Sequence, residues 1–403
     1  MKVLLFTGKG GVGKTTLAAA TAAALVEGGR KALVVSTDPA HSLADAIGHE
    51  LGSAPTEIGD GLCGAQIDTR GLVDGAWQEI RAHLRTLLAG AGVDELDAEE
   101  LTVLPGVEEL LALTEVHRLA ASGLWDVVVV DCGPTAETLR LLALPEAVAG
   151  YLERLFPTHR RVVRGLLAGM AGSATVERWD SAADAIGRLS EHLAAVRQLL
   201  VDHERTSVRL VLTPERVVAA ETRRTLTALA LQGIRVDGMI ANRLVPAAGA
   251  AKGAAAGWLR TRRAEQETVL AELRAAELPV RTVGHRACEP VGLPALRELA
   301  AELYPDGEPL ATEAAPEARL LTVTGDGGRG LDASYELRVA LPLAADSDLD
   351  LARVDEELSI TVDGRRRLVA LPAVLRRCEV TGARLDDEGL VVGFRPDPRL
   401  WMR

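Results

Sequence analysis

Residues 8–15 read Gly8-Lys9-Gly10-Gly11-Val12-Gly13-Lys14-Thr15. That order fits GxxxxGK[ST], a phosphate-binding pattern. Glycines let a backbone wrap around phosphate oxygens with its N–H groups pointing inward. Lys14 would neutralise β- and γ-phosphate charge, and the Thr15 hydroxyl would ligate Mg2+. The same glycines satisfy GxGxxG, the dinucleotide fingerprint. A dinucleotide turn has no need for Lys14-Thr15, and its acidic residue meets a ribose at the end of the second strand. Asp38 stands near that place but leads into Pro39-Ala40-His41-Ser42, so the phosphate-loop reading is preferred. Two carboxylates complete the chemistry. Asp38 could orient or deprotonate an attacking water, and its plainer reading is a helix cap or turn residue. Asp131 ends the run Val127–Val130, where an acid that contacts Mg2+ through water belongs. The plainer reading of Asp131 is a turn residue at a strand end. The loop Cys132–Thr138 that follows it would sense the γ-phosphate.

These residues need a strand-and-helix frame to hold them. Val3–Thr7 and Lys31–Thr37 are short apolar runs, and the Ala-rich segment Lys14–Gly28 lies between them with Gly28-Gly29 as its stop. That is a β–α–β unit, the opening of a parallel sheet. Buried-strand patterns recur at Trp125–Val130, Ser207–Leu212, Val236–Ala241 and Leu278–Val283. The fold class read from this is α/β: a doubly wound, mostly parallel sheet of the phosphate-loop NTPase type. Two long stretches, Leu72–Ser122 and Pro145–His203, read as inserted helices. Tyr304–Ala318 is rich in Pro, Glu and Ala and reads as a linker. Beyond it, Tyr335–Leu343, Glu357–Val362, Arg366–Leu371 and Gly389–Phe394 read as alternating strands, with Asp363-Gly364 as a hairpin turn. The expected organisation is an ATPase domain over 1–304, a linker over 305–319 and a small all-β sandwich over 320–396.

The chain has 403 residues and a formal net charge of −12, which argues against nucleic acid as a bulk electrostatic partner. Its four cysteines, Cys63, Cys132, Cys288 and Cys378, form no CxxC pair, so neither a disulfide framework nor a cysteine zinc site is supported. No signal peptide opens the chain, and no apolar run reaches about 18 residues without a charge. A cytoplasmic protein without stable membrane insertion is expected.

The motifs GKGGVGKTT and DPAHSLADA, then Asp131 followed by Pro134-Thr135 and Thr138-Leu139, resemble the ArsA family. That family comprises arsenite-pump ATPases and ATPases that target tail-anchored membrane proteins. The resemblance continues through Pro105–Glu109, Thr213-Pro214-Glu215, Asn242, the Arg262/Gln266 pair and Glu289–Gly292, so it covers about residues 1–304. It implies that Gly8, Gly10, Gly11, Val12, Gly13, Lys14, Thr15 and Thr16 bind ATP or ADP. It also implies that Thr15 and Asp131 serve Mg2+, with Asp38, Lys9 and Lys14 as catalytic residues. Lys9 resembles the additional lysine of the deviant Walker A form, which reaches the nucleotide of the facing subunit in a homodimer. Glu215 would couple nucleotide across that dimer, and Asn242 would read adenine.

Departures qualify the match. The family's second switch usually reads D-T-A-P-T-G-H-T, and Ala136-Glu137 stand here in place of its Gly-His. The zinc CxxC of the eukaryotic targeting factors and the arsenite cysteine cluster are not recognisable. The segment after the linker resembles the α-crystallin domain of small heat-shock proteins. The resemblance therefore implies an ATP-switched homodimer that chaperones or targets hydrophobic clients. The candidate groove is Val148–Leu200, including Leu152, Leu155, Val162, Val163, Leu166, Leu167 and Met170. Two alternatives stay open: an arsenite efflux ATPase subunit and a MinD- or ParA-like positioning ATPase.

Overall fold

In the computed structural model the described residues are 1–38, 42–68, 107–132, 191, 194–275, 278–310, 321–328, 330–341, 347–386 and 389–401. The chain forms two compact units. The first comprises Met1–Thr7, Lys14–Thr206 and Pro290–Ala301; the second comprises Gly8–Gly13, Ser207–Glu289 and Glu302–Arg403.

The first unit is built on β1 (Lys2–Thr7), β2 (Ala32–Ser36), β3 (Thr56–Gly59), β4 (Leu62–Gln66) and β5 (Val127–Asp131), ordered β3-β4-β2-β5-β1. β1, β2, β4 and β5 run parallel, and β3 pairs antiparallel at the edge. The runs Val3–Phe6, Ala32–Val35 and Val127–Val130 are buried along their whole length, as strands covered on both faces must be. Register matters for chemistry here. Asp131 lies level with Phe6 on one side and with Ser36 on the other, so two strand ends deliver polar side chains to one place. Helix α1 (Lys14–Glu27) follows β1 through the glycine loop. Its alanines are strong helix formers, and they keep it slim enough to lie almost wholly buried. The buried Thr21 hydroxyl is satisfied by donating to Leu17 O (2.7 Å). Helices α2 (Ser42–Ile47) and α3 (Val107–Ala121) also belong to this unit.

In the second unit, β6 (Thr206–Leu212), β7 (Val236–Leu244) and β8 (Val280–Gly284) are parallel neighbours. Helix α4 (Arg216–Leu231) leads from β6 to β7, and α5 (Ala254–Arg274) leads from β7 to β8. Helix α6 (Leu293–Leu303) follows β8 in the chain, and all but its last two residues belong to the first unit. A buried ion pair sits beneath. Arg209 Nη2 lies 2.7 Å from Asp237 Oδ2, with side chains 6% and 2% exposed. Arg209 also donates to the Tyr304 hydroxyl (2.8 Å) and to Pro309 O (3.0 Å). Burial works against the guanidinium's charge, but Asp237 and Tyr304 overcome it and Arg209 stays firmly protonated. The opening of the expected linker is therefore anchored at Tyr304 and Pro309.

The C-terminal part of this unit is two antiparallel sheets. One orders its strands β14 (Cys378–Asp386), β15 (Gly389–Pro396), β10 (Tyr335–Ala340) and β9 (Leu321–Gly325). The other orders β11 (Leu349–Val354), β12 (Glu357–Val362) and β13 (Arg365–Ala370). Leu337, Val339, Leu358, Ile360, Val392 and Phe394 form its core, and Leu231 at the end of α4 is buried in the same cluster. A short helix, α7 (Pro398–Trp401), brings Trp401 to 6.0 Å from the Tyr335 ring. The Asp363-Gly364 hairpin turn is present, with φ of 49° and 74°, the two positive values a type I′ turn requires.

The expected fold class is found: a mostly parallel α/β frame followed by antiparallel sheets. The strand read at Leu278–Val283 is shifted to β8, and β3, β4, β9, β11 and β14 are additions. Of the expected helical insertions, α3 is seen. Most of the remainder, including the candidate groove residues from Leu152 to Met170, lies outside the described residues, as do residues 133–138 of the second switch. Among the described residues no helix is long and apolar enough to cross a membrane.

Removing one partner of the Arg209–Asp237 pair leaves an uncompensated buried charge. Arg209→Met should cost about 3–5 kcal/mol of unfolding free energy, and adding Asp237→Leu should recover much of it. Denaturant unfolding of the single and double variants checks this; equal stabilities for Arg209→Met and wild type would remove the pair's structural role.

Candidate nucleotide site

Within the first unit, a small hydroxyl–carboxylate cluster forms at the C-terminal ends of β2 and β5. The Thr15 hydroxyl, on the first turn of α1, donates to Asp131 Oδ2 (2.8 Å). Ser36 Oγ donates to the same oxygen (3.2 Å), and Ser42 Oγ lies 3.1 Å from Thr15 Oγ1. Asp38 is held close by: its backbone N–H donates to Ser36 Oγ (3.2 Å). Lys14 is 7% exposed, and Asp131 is fully buried. Burial pushes the Asp131 carboxyl up to about 6; Thr15, Lys14 and Ser36 pull it down, and the Asp38 charge adds to the rise. Its other oxygen, Oδ1, is buried with no hydrogen-bond partner. A buried, half-satisfied carboxylate is expensive unless a cation or donor completes it. The donor set consists of hard oxygens, which suits a small divalent cation. Thr15 can give its proton to Asp131 and still present a lone pair.

Within the second unit, residues 8–13 press against the ends of β6 and β7. Gly8 has φ of 153°, and a Cβ there would stand 2.0 Å from Val211 O. Gly13 has φ of 95°, and a Cβ there would meet Asn242 Nδ2 at 2.4 Å. Both positions therefore exclude any side chain. Asn242 Nδ2 donates to Val12 O (2.8 Å), and its Oδ1 accepts from Arg243 N (2.8 Å). Asn242 thus braces the loop from below.

Beside the loop lies a cleft of about 480 Å3 lined by Lys9, Gly10, Gly11, Val12, Thr213, Glu215, Val218, Arg243, Val245, Trp258, Arg262, Gln266 and His285. Glu215 sits at the N-cap of α4 but makes no side-chain cap bond. Its carboxylate instead accepts from Arg262 Nη2 at 2.5 Å. Lys9 Nζ lies 3.5 Å from Glu221 Oε2 on α4. The buried Gln266 ties down the end of β7, accepting from Val245 N (2.8 Å) and donating to Arg243 O (3.3 Å).

Comparison with known proteins decides the family. The family model described as anion-transporting ATPase, ArsA, matches residues 1–305, and the HSP20-like domain found in ArsA matches residues 332–394. The chain belongs to the ArsA ATPase family. Its reaction is hydrolysis of ATP to ADP and phosphate. The Mycobacterium tuberculosis protein Rv2184c is 38% identical to it, across 99% of this chain and 97% of that protein. A putative arsenical pump-driving ATPase of Chlorobaculum tepidum is 32% identical, across 98% and 96%. The ATPase GET3B of Arabidopsis thaliana is 30% identical, across 61% of this chain and 64% of its own length.

The expected residues fall into two groups. Lys14, Thr15, Asp38 and Asp131 gather with Ser36 and Ser42, and Thr16 lies half-buried on the same first turn of α1. Gly8, Lys9, Gly10, Gly11, Val12 and Gly13 belong with Glu215 and Asn242. Sequence reasoning missed Ser36, Ser42, Arg243, Trp258 and His285 as site residues. Ser36 could have been found from strand register, because it ends its strand level with Asp131. Trp258 carried a fainter signal, as a large aromatic directly after the Ala-rich run 254–257 of a chain with 3% aromatics.

The raised Asp131 value sets a pH dependence. The native state binds this proton more tightly than the unfolded chain does. The resulting stability is present below about pH 4 and lost as pH rises through about 6. At neutral pH the ionised carboxylate is a net cost to the nucleotide-free protein. Asp131→Asn should therefore raise the apo melting temperature at pH 7.5, flatten its change between pH 4 and 6, and lower Mg-dependent ATP turnover on the order of 10²-fold. Melting curves of both proteins across that pH range, with a turnover assay, test it. A variant less stable than wild type at pH 7.5 contradicts the buried-charge account.

Proposed function

We propose that this ATPase is a Mg2+-dependent homodimeric switch that chaperones or targets hydrophobic client proteins. Support comes first from the placement of α4. It starts at Glu215 on the cleft wall, and its last residue, Leu231, is buried in the core of the HSP20-like sheets. A 16-residue helix is about 24 Å long, so one rigid element spans from the nucleotide cleft to a domain of the small heat-shock type.

The residues divide the work. The loop amides of Gly8–Gly13 and the Lys14 ammonium would hold the phosphates. Thr15 and Asp131 would hold Mg2+, the aspartate through water; the ion when bound neutralises charge on the transferring phosphoryl group. Asp38 would orient the attacking water. Lys9 would leave Glu221 and reach the nucleotide of the facing subunit, stabilising charge that develops in the transition state. Glu215 would exchange Arg262 for contacts that report nucleotide across the dimer. Asn242, which resemblance assigns to adenine, holds Val12 O in the structure. Its support for the loop and its reading of the base would then be exercised from one side chain.

A second reading, arsenite handling, is favoured by the names of relatives such as the Chlorobaculum tepidum ATPase. Thiol chemistry weighs against it. All four cysteines are free, and burial raises the Cys63 and Cys378 thiols and pushes Cys132 up to about 12. Among the described residues no group of three His, Cys, Asp or Glu side chains could hold a metal ion.

The deciding measurement is ATP turnover and particle mass, with Mg2+ and ATP, for wild type and Asp38→Asn. We expect the variant to lose on the order of 10²-fold or more in turnover while remaining as a nucleotide-bound dimer. A wild type that hydrolyses ATP as a monomer throughout would overturn the switch. Stimulation of turnover by arsenite would favour the second reading.

A further inference from the structure

One wall of the nucleotide cleft is a stripe down α5. Trp258, Arg262 and Gln266 are spaced i, i+4, i+8, so they share a helix face, and all three line the cavity. Exposure falls steeply along the stripe. Trp258 is 62% exposed and Gln266 is 3% exposed, which places the indole at the mouth and the amide at the floor. The floor is rigid: besides the bonds of Gln266, His285 N donates to Leu244 O (2.7 Å) and Arg263 Nη1 to Val245 O (2.9 Å). The middle carries the Arg262–Glu215 pair.

The mouth is different. A tryptophan presents one of the largest apolar faces available, and this one stands in water on the wall of a cavity. The cavity, about 480 Å3, is of a size that holds a small organic ligand. Its lining also includes Lys9, Gly10, Gly11 and Val12, part of the loop proposed above to hold the phosphates. A nucleotide whose phosphates lie on that backbone has its remaining, flat aromatic end within reach of the same cavity. Aromatic faces stack on nucleobases with sizeable and sequence-tolerant affinity.

We propose that Trp258 stacks on the base of the bound nucleotide and is the residue that holds the base end of the ligand while the loop holds the phosphates. The proposal rests on the ATPase activity of the chain and is independent of client handling. Stacking alone selects weakly between purines, because each has a π-face. The contribution of Trp258 is therefore affinity for the base rather than choice among bases.

The test uses the full-length protein and two ligands, ADP and inorganic tripolyphosphate, the second having phosphates but no base. ADP should quench tryptophan fluorescence, and tripolyphosphate should not. Trp258→Phe should remove the quench while Trp77, Trp125, Trp179 and Trp401 remain as internal emitters. Trp258→Ala should weaken ADP binding roughly 5- to 100-fold by calorimetry, and leave tripolyphosphate affinity unchanged. Trp258→Phe, which keeps a ring, should restore most of that loss, which a merely structural defect would not allow. The proposal is overturned if Trp258→Ala binds ADP as wild type does, or if the quench survives in Trp258→Phe. It is also overturned if the quench follows protein concentration rather than ADP, since Trp258 would then be covered by a second copy of the chain. A wild type that binds neither ligand would overturn the nucleotide site itself, an outcome distinct from loss of ADP affinity alone.

Discussion

The chain passes from β1 into α1 through a loop that is tightly crowded at its first and last glycines. At Gly8 a Cβ would lie 2.0 Å from the carbonyl oxygen of Val211, and at Gly13 it would lie 2.4 Å from the Asn242 amide. These distances are far inside van der Waals contact, so any other residue would force the loop off the ends of β6 and β7. The loop's shape is consequently not a local property of its own eight residues. It is set by strand ends some 200 positions away in the chain, and Asn242 locks it by donating to Val12 O across a sequence separation of 230. A loop braced in this way is preorganised, which lowers the reorganisation cost of the phosphate binding proposed for it.

The first unit carries an electrostatic imbalance of its own. Asp131 is a buried carboxylate with two hydroxyl donors on one oxygen and none on the other. A fully satisfied buried carboxylate would be cheaper to fold, but it would have nothing left for a ligand. The surrounding groups point in opposite directions. Lys14, Thr15 and Ser36 favour the ionised form, while burial and the neighbouring Asp38 oppose it. Two carboxylates close to Lys14 form an arrangement that a cation and polyphosphate would complete together. On the proposed function, stability is surrendered where the site would need an unfinished coordination shell.

How much of this was legible in the sequence follows from what each feature depends on. β1, β2 and β5 are buried on both faces, so they read as continuous apolar runs. β3 and β14 are edge strands, and eight of the nine residues of β14 are at least partly exposed, so neither carries the pattern that marks a strand. The Gly, Lys and Thr of the loop are legible because phosphate demands those types at that spacing. Ser36 and Trp258 are not, because their contribution comes from register with a distant strand and from the face of a helix. Asn242 shows a further limit. Its position at the end of a strand pattern was evident, though the structure carries β7 on to Leu244; its partner, a carbonyl in the glycine loop, is visible only in three dimensions. Arg209 was likewise invisible as a buried ion, since nothing near it in sequence announces Asp237, Tyr304 or Pro309.

The attachment of the C-terminal sheets follows from that last network. A domain joined through a Pro- and Glu-rich segment would ordinarily swing freely. Here Arg209 fastens Tyr304 and Pro309 at the start of the segment, and Leu231 fastens the sheets to the end of α4. Burying a leucine in a shared core typically contributes a few kcal/mol, against an entropy cost that the anchored linker has already reduced. α4 and the sheets therefore share one core. α4 is also the helix whose first turn adjoins Glu215 and whose second faces Lys9 through Glu221. In the proposed switch, an exchange of partners by Glu215 or Lys9 would act on the first two turns of the helix whose last residue lies in that core. Packed elements shift as units rather than deform, so such a coupling would need no flexible intermediary.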